Sequence, residues 1–418
     1  MRMYFDILGQ MLKTLWAHKL RSFLTMFGIA WGVGSLLLLV GLGEGFRSGN
    51  QRELREIGEN IMFIFSGEVP AAAGATTGAR PYYLTYDDAI AIKAESPDVL
   101  YVAPVINRQD IRAVSAYNNT NGQTFGVVPD YNKVRYIPLA GGRWFTDADN
   151  DERRQVAVVG HEMRKSMFPG RPVLGETILM NGLRFQIIGY MDTVGKDESD
   201  NGTNIRIFIP FNTMREFFPL KGKENMPEGA VSFINYNPKT RDLHDAAQLE
   251  VKRVIARRHN FDASNEDAFN EWDTVKNADT VGKIFTAMNM FLGSVGIVTL
   301  ALGGIGIINI MLVAVTERTK EIGLRRALGA TQHSIMMQFF MEGAFLTLIS
   351  GGIGIAAAGL FMAALGTLPS PGGFDPPKLV PWSAAVAVGA LSIAGTIAGI
   401  YPARKAAMLE PVEALRKE

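Results

Sequence analysis

Residues Ile284–Val315 read IFTAMNMFLGSVGIVTLALGGIGIINIMLVAV, an apolar run with no charged side chain in it. A helix of this length would be about 48 Å long, well over the roughly 30 Å hydrocarbon core of a bilayer. Part of it is expected to project from the membrane as a stalk. Three more runs cross by the same measure: Ser22–Gly43, Ile335–Leu368 interrupted only by Glu342, and Trp382–Tyr401 closed by Pro402. The first follows Lys13, His18, Lys19 and Arg21, the layout of a signal peptide. It is too long for a typical signal core and no small-residue cleavage pattern follows, so it reads as an uncleaved anchor.

Working outward, the flanking charges give a direction. The N-terminal tail carries Arg2, Lys13, Lys19 and Arg21, and the loop after the second run carries Arg318, Lys320, Arg325 and Arg326. Arg404, Lys405, Arg416 and Lys417 follow the fourth run, whereas the loop between runs three and four (369–381) has Lys378 alone. With four spans all basic clusters fall on one side, so the positive-inside rule places both termini and the 316–334 loop in the cytoplasm. Residues about 44–283 then form a large extracytoplasmic domain. Before the first span, Tyr4, Phe5, Leu8, Met11, Leu12, Leu15 and Trp16 recur at helical spacing, which predicts a helix along the inner interface over residues 1–21.

Composition narrows the function classes. The net charge of the 418 residues is +1, which argues against a nucleic-acid partner. The absence of cysteine excludes disulfide frameworks, thiolate metal sites and cysteine nucleophiles. In the outer segment the helix-prone stretch to Ile57 should extend the first span. Strand signals recur at Ile61–Phe65, Val99–Val105, Gln155–Val159, Phe185–Tyr190, Ile205–Ile209 and Val231–Asn235, with helical patterns at 85–95, 212–218 and 240–259. This interleaving predicts an α+β domain. Gly67–Arg80 and Thr193–Asn204 read as loops.

Signatures of chemistry are missing. There is no phosphate-cradling G-x-x-x-x-G-K-[ST], dinucleotide G-x-G-x-x-G or G-x-S-x-G elbow. Asp147, Asp149 and Asp151 open like a calcium loop, but Glu152 and Val158 stand where glycine and glutamate are needed. A solvated acidic turn is expected instead. The five histidines, 18, 161, 244, 259 and 333, lack metal-ligand spacing. Lys252, Arg253, Arg257 and Arg258 read as the solvated face of an amphipathic helix. The Asn118 and Asn201 sequons carry meaning only in a glycosylating host. No catalytic or metal residue is assigned.

Inside the spans, Gly28 and Gly32, and Gly395 and Gly399, form G-x-x-x-G pairs suited to close helix contact. Asn309 and Glu342 are intramembrane polar residues, either interhelical hydrogen-bond partners or mechanistic groups. The loop Glu317-Arg-Thr-Lys-Glu-Ile-Gly-Leu-Arg-Arg-Ala-Leu-Gly-Ala-Thr331 can form a short helix with Ile322, Leu324, Ala327 and Leu328 set among charges. Such a helix has the makings of a docking element, beyond what a positive-inside anchor requires.

At this loop the chain resembles the MacB/FtsX-type family of ABC transporter permeases. ERTKEIGLRRALGAT is similar to the family's cytoplasmic loop, and YPARKAAMLEPVEALRKE (401–418) to its C-terminal tail. Outside, ENIMFIF, LTYDDAIAI, LAGGRWFTDAD, QVAVVGHEMRKSMFPG, LGETILMNGLRFQIIGYMD and IFIPFNTM match as well. The resemblance implies a porter-like α/β part with an inserted, mainly β part at about 115–210. It also implies that two permeases pair and that ATPase subunits, which hold the ATP and magnesium, drive the outer domains from the cytoplasm. With 21 residues before the first span the ATPase is expected as a separate chain. Docking is expected at Glu317, Arg318, Lys320, Glu321, Ile322, Arg325 and Arg326. The leading expectation is the permease of an exporter of a drug, peptide or other small molecule, working with a periplasmic adaptor and an outer-membrane channel. A lipoprotein-releasing permease and a non-transporting relay to a cell-wall hydrolase are the alternatives; an outer domain of about 240 residues favours the exporter or the lipoprotein permease over the relay.

Overall fold

The computed structural model describes residues 19–58, 60–70, 78–195, 202–220, 226–370 and 373–408. The expected interfacial helix, the Asn201 sequon, and Arg416 and Lys417 lie outside these residues. The chain divides into two compact units, residues 50–281 and residues 1–49 with 282–418.

In the second of these units, four helices among the described residues are long and apolar enough to cross a membrane. They belong to α1 (Lys19–Ile57), α8 (Thr274–Glu317), α10 (Gln332–Gly366) and α11 (Pro381–Ala407), and the short α9 (Thr319–Ala327) follows α8. Their shared core joins Ile29, Val33 and Leu36 of α1 to Leu300, Ile307 and Met311 of α8, and to residues of α10 and α11. Small residues set the closest approaches, as expected where lipid supplies no hydrophobic drive for association. A Cβ on Gly354 would sit 3.0 Å from Ala30 Cα, and one on Gly343 would sit 3.2 Å from Gly399 Cα. Gly32 abuts Leu300 and Thr299 at 3.4 Å, and Gly395 abuts Thr347. Gly28 has nothing within 4 Å, so of the expected pair only Gly32 makes a close contact, while Gly34, on another side of the helix, meets the carbonyl of Gly354.

The outer unit is built on one 12-stranded sheet, with order β14-β1-β13-β4-β7-β12-β9-β11-β10-β5-β6 and β8 paired to β11. The strands are β1 (Met62–Phe65), β4 (Val99–Arg108), β5 (Arg112–Val114), β6 (Asn119–Asn121), β7 (Gln123–Val127), β8 (Leu139–Gly142), β9 (Val156–Val159), β10 (Thr177–Met180), β11 (Leu183–Met191), β12 (Arg206–Pro210), β13 (Phe233–Pro238) and β14 (Asn270–Asp273). A separate hairpin joins β2 (Gly67–Val69) to β3 (Arg80–Tyr82). The helices are α2 (Tyr86–Glu95), α3 (Tyr131–Val134), α4 (Asp147–Asp151), α5 (His161–Met167), α6 (Phe211–Phe217) and α7 (His244–Arg258).

Strand alternation divides the core. Met62 and Ile64 point into a cluster with Leu84, Ile92 and Val251, while Phe63 between them joins Val105, Phe125 and Phe208, the period of two expected of a pleated strand. The stretch 115–210 carries β6 to β12 and three short helices, and β7 pairs antiparallel with β4, so its strands continue the same sheet.

Two charged features differ from their sequence expectations. Asp149 is fully buried inside α4, where Thr146 and Asp149 form a reciprocal cap. Arg143 lies 2.5 Å and Arg154 3.3 Å from its carboxylate. The Arg143 hydrogen bond, against the opposing effect of burial, holds this carboxyl well below the usual range. It is thus an ion-paired helix cap rather than a solvated turn. The basic stripe of α7 is also not a plain solvated face: Lys252 is buried against Glu266 and Glu271, Arg257 pairs with Glu95, and Arg258 with Asp88.

Candidate functional site

The loop between the second and third spans is an ordered corner. Arg318, with φ −98° and ψ 14°, separates α8 from α9. Gly329 takes φ +99°, which a residue with a Cβ adopts only with strain. The hydroxyl of Thr331 then accepts from the Ser334 N–H at 3.2 Å and caps α10.

The side chains divide between two jobs. Ile322 is buried in the span core with Ile335 and Phe339. Arg318 Nη1 lies 3.3 Å from Glu342 Oε1, so the buried carboxylate of α10 holds the corner itself. Arg325 donates to Glu321 Oε1 at 2.6 Å and to Gln338 Oε1 at 2.8 Å. Arg326 donates to the carbonyl of Ala407 at 3.2 Å, at the C-terminal end of α11 where a cation is favoured. These bonds staple α9 to α10 and α11. The opposite side stays exposed: Glu317, Lys320 and Glu321, with Leu324 52% and Leu328 80% accessible.

A docking helix would set Ile322, Leu324 and Leu328 side by side. The structure separates them, because Ile322 and Leu328 are six positions apart, about 600° around a helix of roughly 100° per residue and so some 120° from each other. Of the docking candidates, Glu317, Lys320 and Glu321 are exposed, Glu321 while bonded to Arg325, whereas Ile322 is buried and Arg318, Arg325 and Arg326 are partly buried and bonded within the chain. Leu324 and Leu328 join the exposed set, and their exposure next to charged neighbours is a signal that hydropathy alone does not reveal. The two intramembrane polar residues are not brought together: Glu342 is buried and Asn309 is exposed on α8.

A second junction was not foreseen. Asp273 Oδ1 accepts from the N–H groups of Val275 and Lys276 at 2.9 and 3.1 Å, capping the start of α8. Its Oδ2 lies 2.7 Å from His244 Nε2, while His244 Nδ1 lies 3.0 Å from Asp245. Thr274 and Ile61 exchange hydrogen bonds of 2.9 and 3.0 Å. The hydrogen bond that Asp273 accepts from His244 raises the His244 pKa despite burial. Burial pushes Asp273 up, but His244 and the backbone donors together carry it below its usual value.

Four apolar spans, a folded domain on the first long loop and a stapled helix on the next basic loop define a membrane protein of the permease class. A family model described as the MacB-like periplasmic core domain matches residues 22–254, and one described as the FtsX-like permease C-terminal matches residues 293–411. The uncharacterized ABC transporter permease YknZ of Bacillus subtilis is 32% identical over 97% of this chain and 98% of its own length. The macrolide export ATP-binding/permease protein MacB of Bdellovibrio bacteriovorus is 31% identical over 98% of this chain, which spans 61% of that protein. The periplasmic region of MacB from Actinobacillus actinomycetemcomitans aligns with a TM-score of 0.43 and 20% identity, covering 55% of this chain and 95% of that structure. The chain belongs to the MacB/FtsX-type family of ABC transporter permeases.

Proposed function

We propose that this chain is the membrane subunit of an ATP-driven exporter, in which a separate ATPase holding ATP and magnesium docks on α9 from the cytoplasm. Motion of α9 would pass through α8 into the outer domain, and a drug, peptide or other small molecule would be the cargo. Two permeases would pair, both termini would be cytoplasmic, and residues about 44–283 would lie outside an inner membrane. A periplasmic adaptor and an outer-membrane channel would complete the export path. That one relative is named a macrolide export protein supports transport out of the cell.

The observation that carries the proposal is the division of α9. One side is bonded to α10 and α11, and the other presents Lys320, Leu324 and Leu328. A rigid helix fixed on one side and exposed on the other can be pushed without unfolding. Leu324→Asp with Leu328→Asp should cut co-purification of the cognate ATPase at least about tenfold, as loss of central apolar anchors does at interfaces. Both side chains are exposed, so the melting temperature should hold. Undiminished ATPase capture by the double variant would exclude α9 as the docking element.

A further inference from the structure

Within the outer unit, the end of α1 and the segment closing α3 line a cavity of about 640 Å³. Its charged lining is Arg52, Arg55, Lys133 and Arg135, against the single carboxylate of Glu56. The Tyr136 N–H donates to the Ile57 carbonyl at 3.4 Å and joins the two walls. Two of the four cations have an acid beside them: Arg52 lies 3.5 Å from Glu56, and Lys133 lies 2.8 Å from Asp130. Among the described residues Arg55 donates only to the Gln51 carbonyl, at 3.3 Å.

Arg135 is the decisive side chain. It is 6% accessible, yet it makes no ion pair among the described residues. Its contacts are the Thr203 hydroxyl at 3.5 Å, long for a hydrogen bond, and the face of Phe63, 5.7 Å from the ring centre. A ring face steadies a guanidinium but does not satisfy its fork of N–H donors. A buried cation without a counter-charge is costly, and this one borders an open cavity. The C-terminal carbonyls of α1, which would repel an anion, are already engaged. Those of Leu54 and Ile57 accept from the Gly58 and Tyr136 N–H groups.

We propose that this cavity binds a phosphate monoester, with Arg135 as the buried fork and Arg55 and Lys133 as accessory cations. A monoester carries a charge of about −1.5 to −2, which matches the two arginines that no carboxylate answers. The planar guanidinium suits two phosphate oxygens at once. The cavity is about twenty times the roughly 30 Å³ share of one water, so the organic part of an ester fits beside its phosphate. A soluble ester and a lipid headgroup share this chemistry.

The full-length chain in phosphate-free maltoside micelles can be titrated calorimetrically with glycerol 3-phosphate and with dihexanoyl phosphatidic acid. At least one should bind saturably, at one site per chain. Binding of the first alone identifies a soluble ester, of the second alone a lipid headgroup, and of both a site that reads the phosphate itself. Arg135→Gln should weaken binding about tenfold or more, as loss of a charge-assisted pair does, and Arg135→Lys should keep part of it. Arg55→Gln changes an exposed residue, so the fold is spared, and should weaken binding about threefold. Arg253→Gln, at a residue exposed on α7 and outside the cavity, should bind as the native chain does. Saturable binding of neither ester would overturn the proposal. So would undiminished binding by both arginine variants, or a loss in Arg253→Gln as large as that in Arg55→Gln.

Discussion

Single residues at two junctions carry opposite kinds of charge chemistry. Glu342 and Arg318 are a pair at the end of a span, where removing one partner leaves the other unneutralised in a poorly hydrated place. Glu342→Leu is expected to destabilise the spans by about 1–3 kcal/mol in detergent denaturation. Adding Arg318→Met should recover much of that loss, because the stranded charge is gone; no recovery would show that the pair does not act as a unit. At the other junction, His244 and Asp273 give stability a pH window. His244 has a raised pKa, so its contribution is complete below its ordinary value of 6.5 and is lost as pH rises through the raised value. Asp273 has a lowered pKa, so its contribution is complete above the ordinary carboxylate value and is lost as pH falls through the depressed one. Melting temperature should therefore decline on the alkaline side of 6.5 in the native chain. His244→Phe should flatten that decline, and an unchanged slope would remove the pair from the pH response.

At the scale of elements, glycines differ by what faces them rather than by the motif that contains them. Gly354 packs on the backbone of α1, with 3.0 Å from a built Cβ to Ala30 Cα, whereas Gly28 faces open space. Gly354→Leu should destabilise by about 2 kcal/mol through overpacking, and Gly28→Ala by less than about 0.5 kcal/mol. Equal effects in a denaturation series would show that the α1–α10 contact is not close-packed. The same logic limits what a pattern discloses about α9. Its helical character and its charges were legible from residues 317–331, but the inward turn of Ile322 and the stapling of Arg325 and Arg326 were not. Those depend on Gln338 and Ala407, which belong to other helices. In the outer domain the long strands β4, β11 and β13 announced themselves through apolar runs. The three-residue β2, β5 and β6 are too short to show a period, and β14 reads NEWD, more polar than a strand pattern suggests. The Asn181–Gly182 pair, with φ 45° and 89°, turns β10 into β11. It is a hairpin signal available in the sequence and overlooked.

For the whole molecule, the basic flanks predict direction through the positive-inside rule. A reporter active only outside the cytoplasm should score after Gly67 and fail after Glu418; the reverse pattern would invert the proposed topology and move α9 away from any cytoplasmic ATPase. The four spans and their order were determined by the sequence alone. Hydropathy is a property of each short window, and twenty or so apolar residues have few other stable fates. The interleaved α+β character of the outer domain followed from local periodicity in the same way. The tertiary structure decided everything that depends on which distant segments meet. Thr274 and Ile61 exchange hydrogen bonds across a separation of 213 residues, joining the start of α8 to the first strand of the sheet. No local preference encodes such a contact, because its energy exists only after the intervening domain has closed around it. The overlong run at Ile284–Val315 thus disclosed by itself a helix long and apolar enough to span a membrane. Which of its faces is buried, and which residues hold the start of α8 at Thr274, were settled by packing.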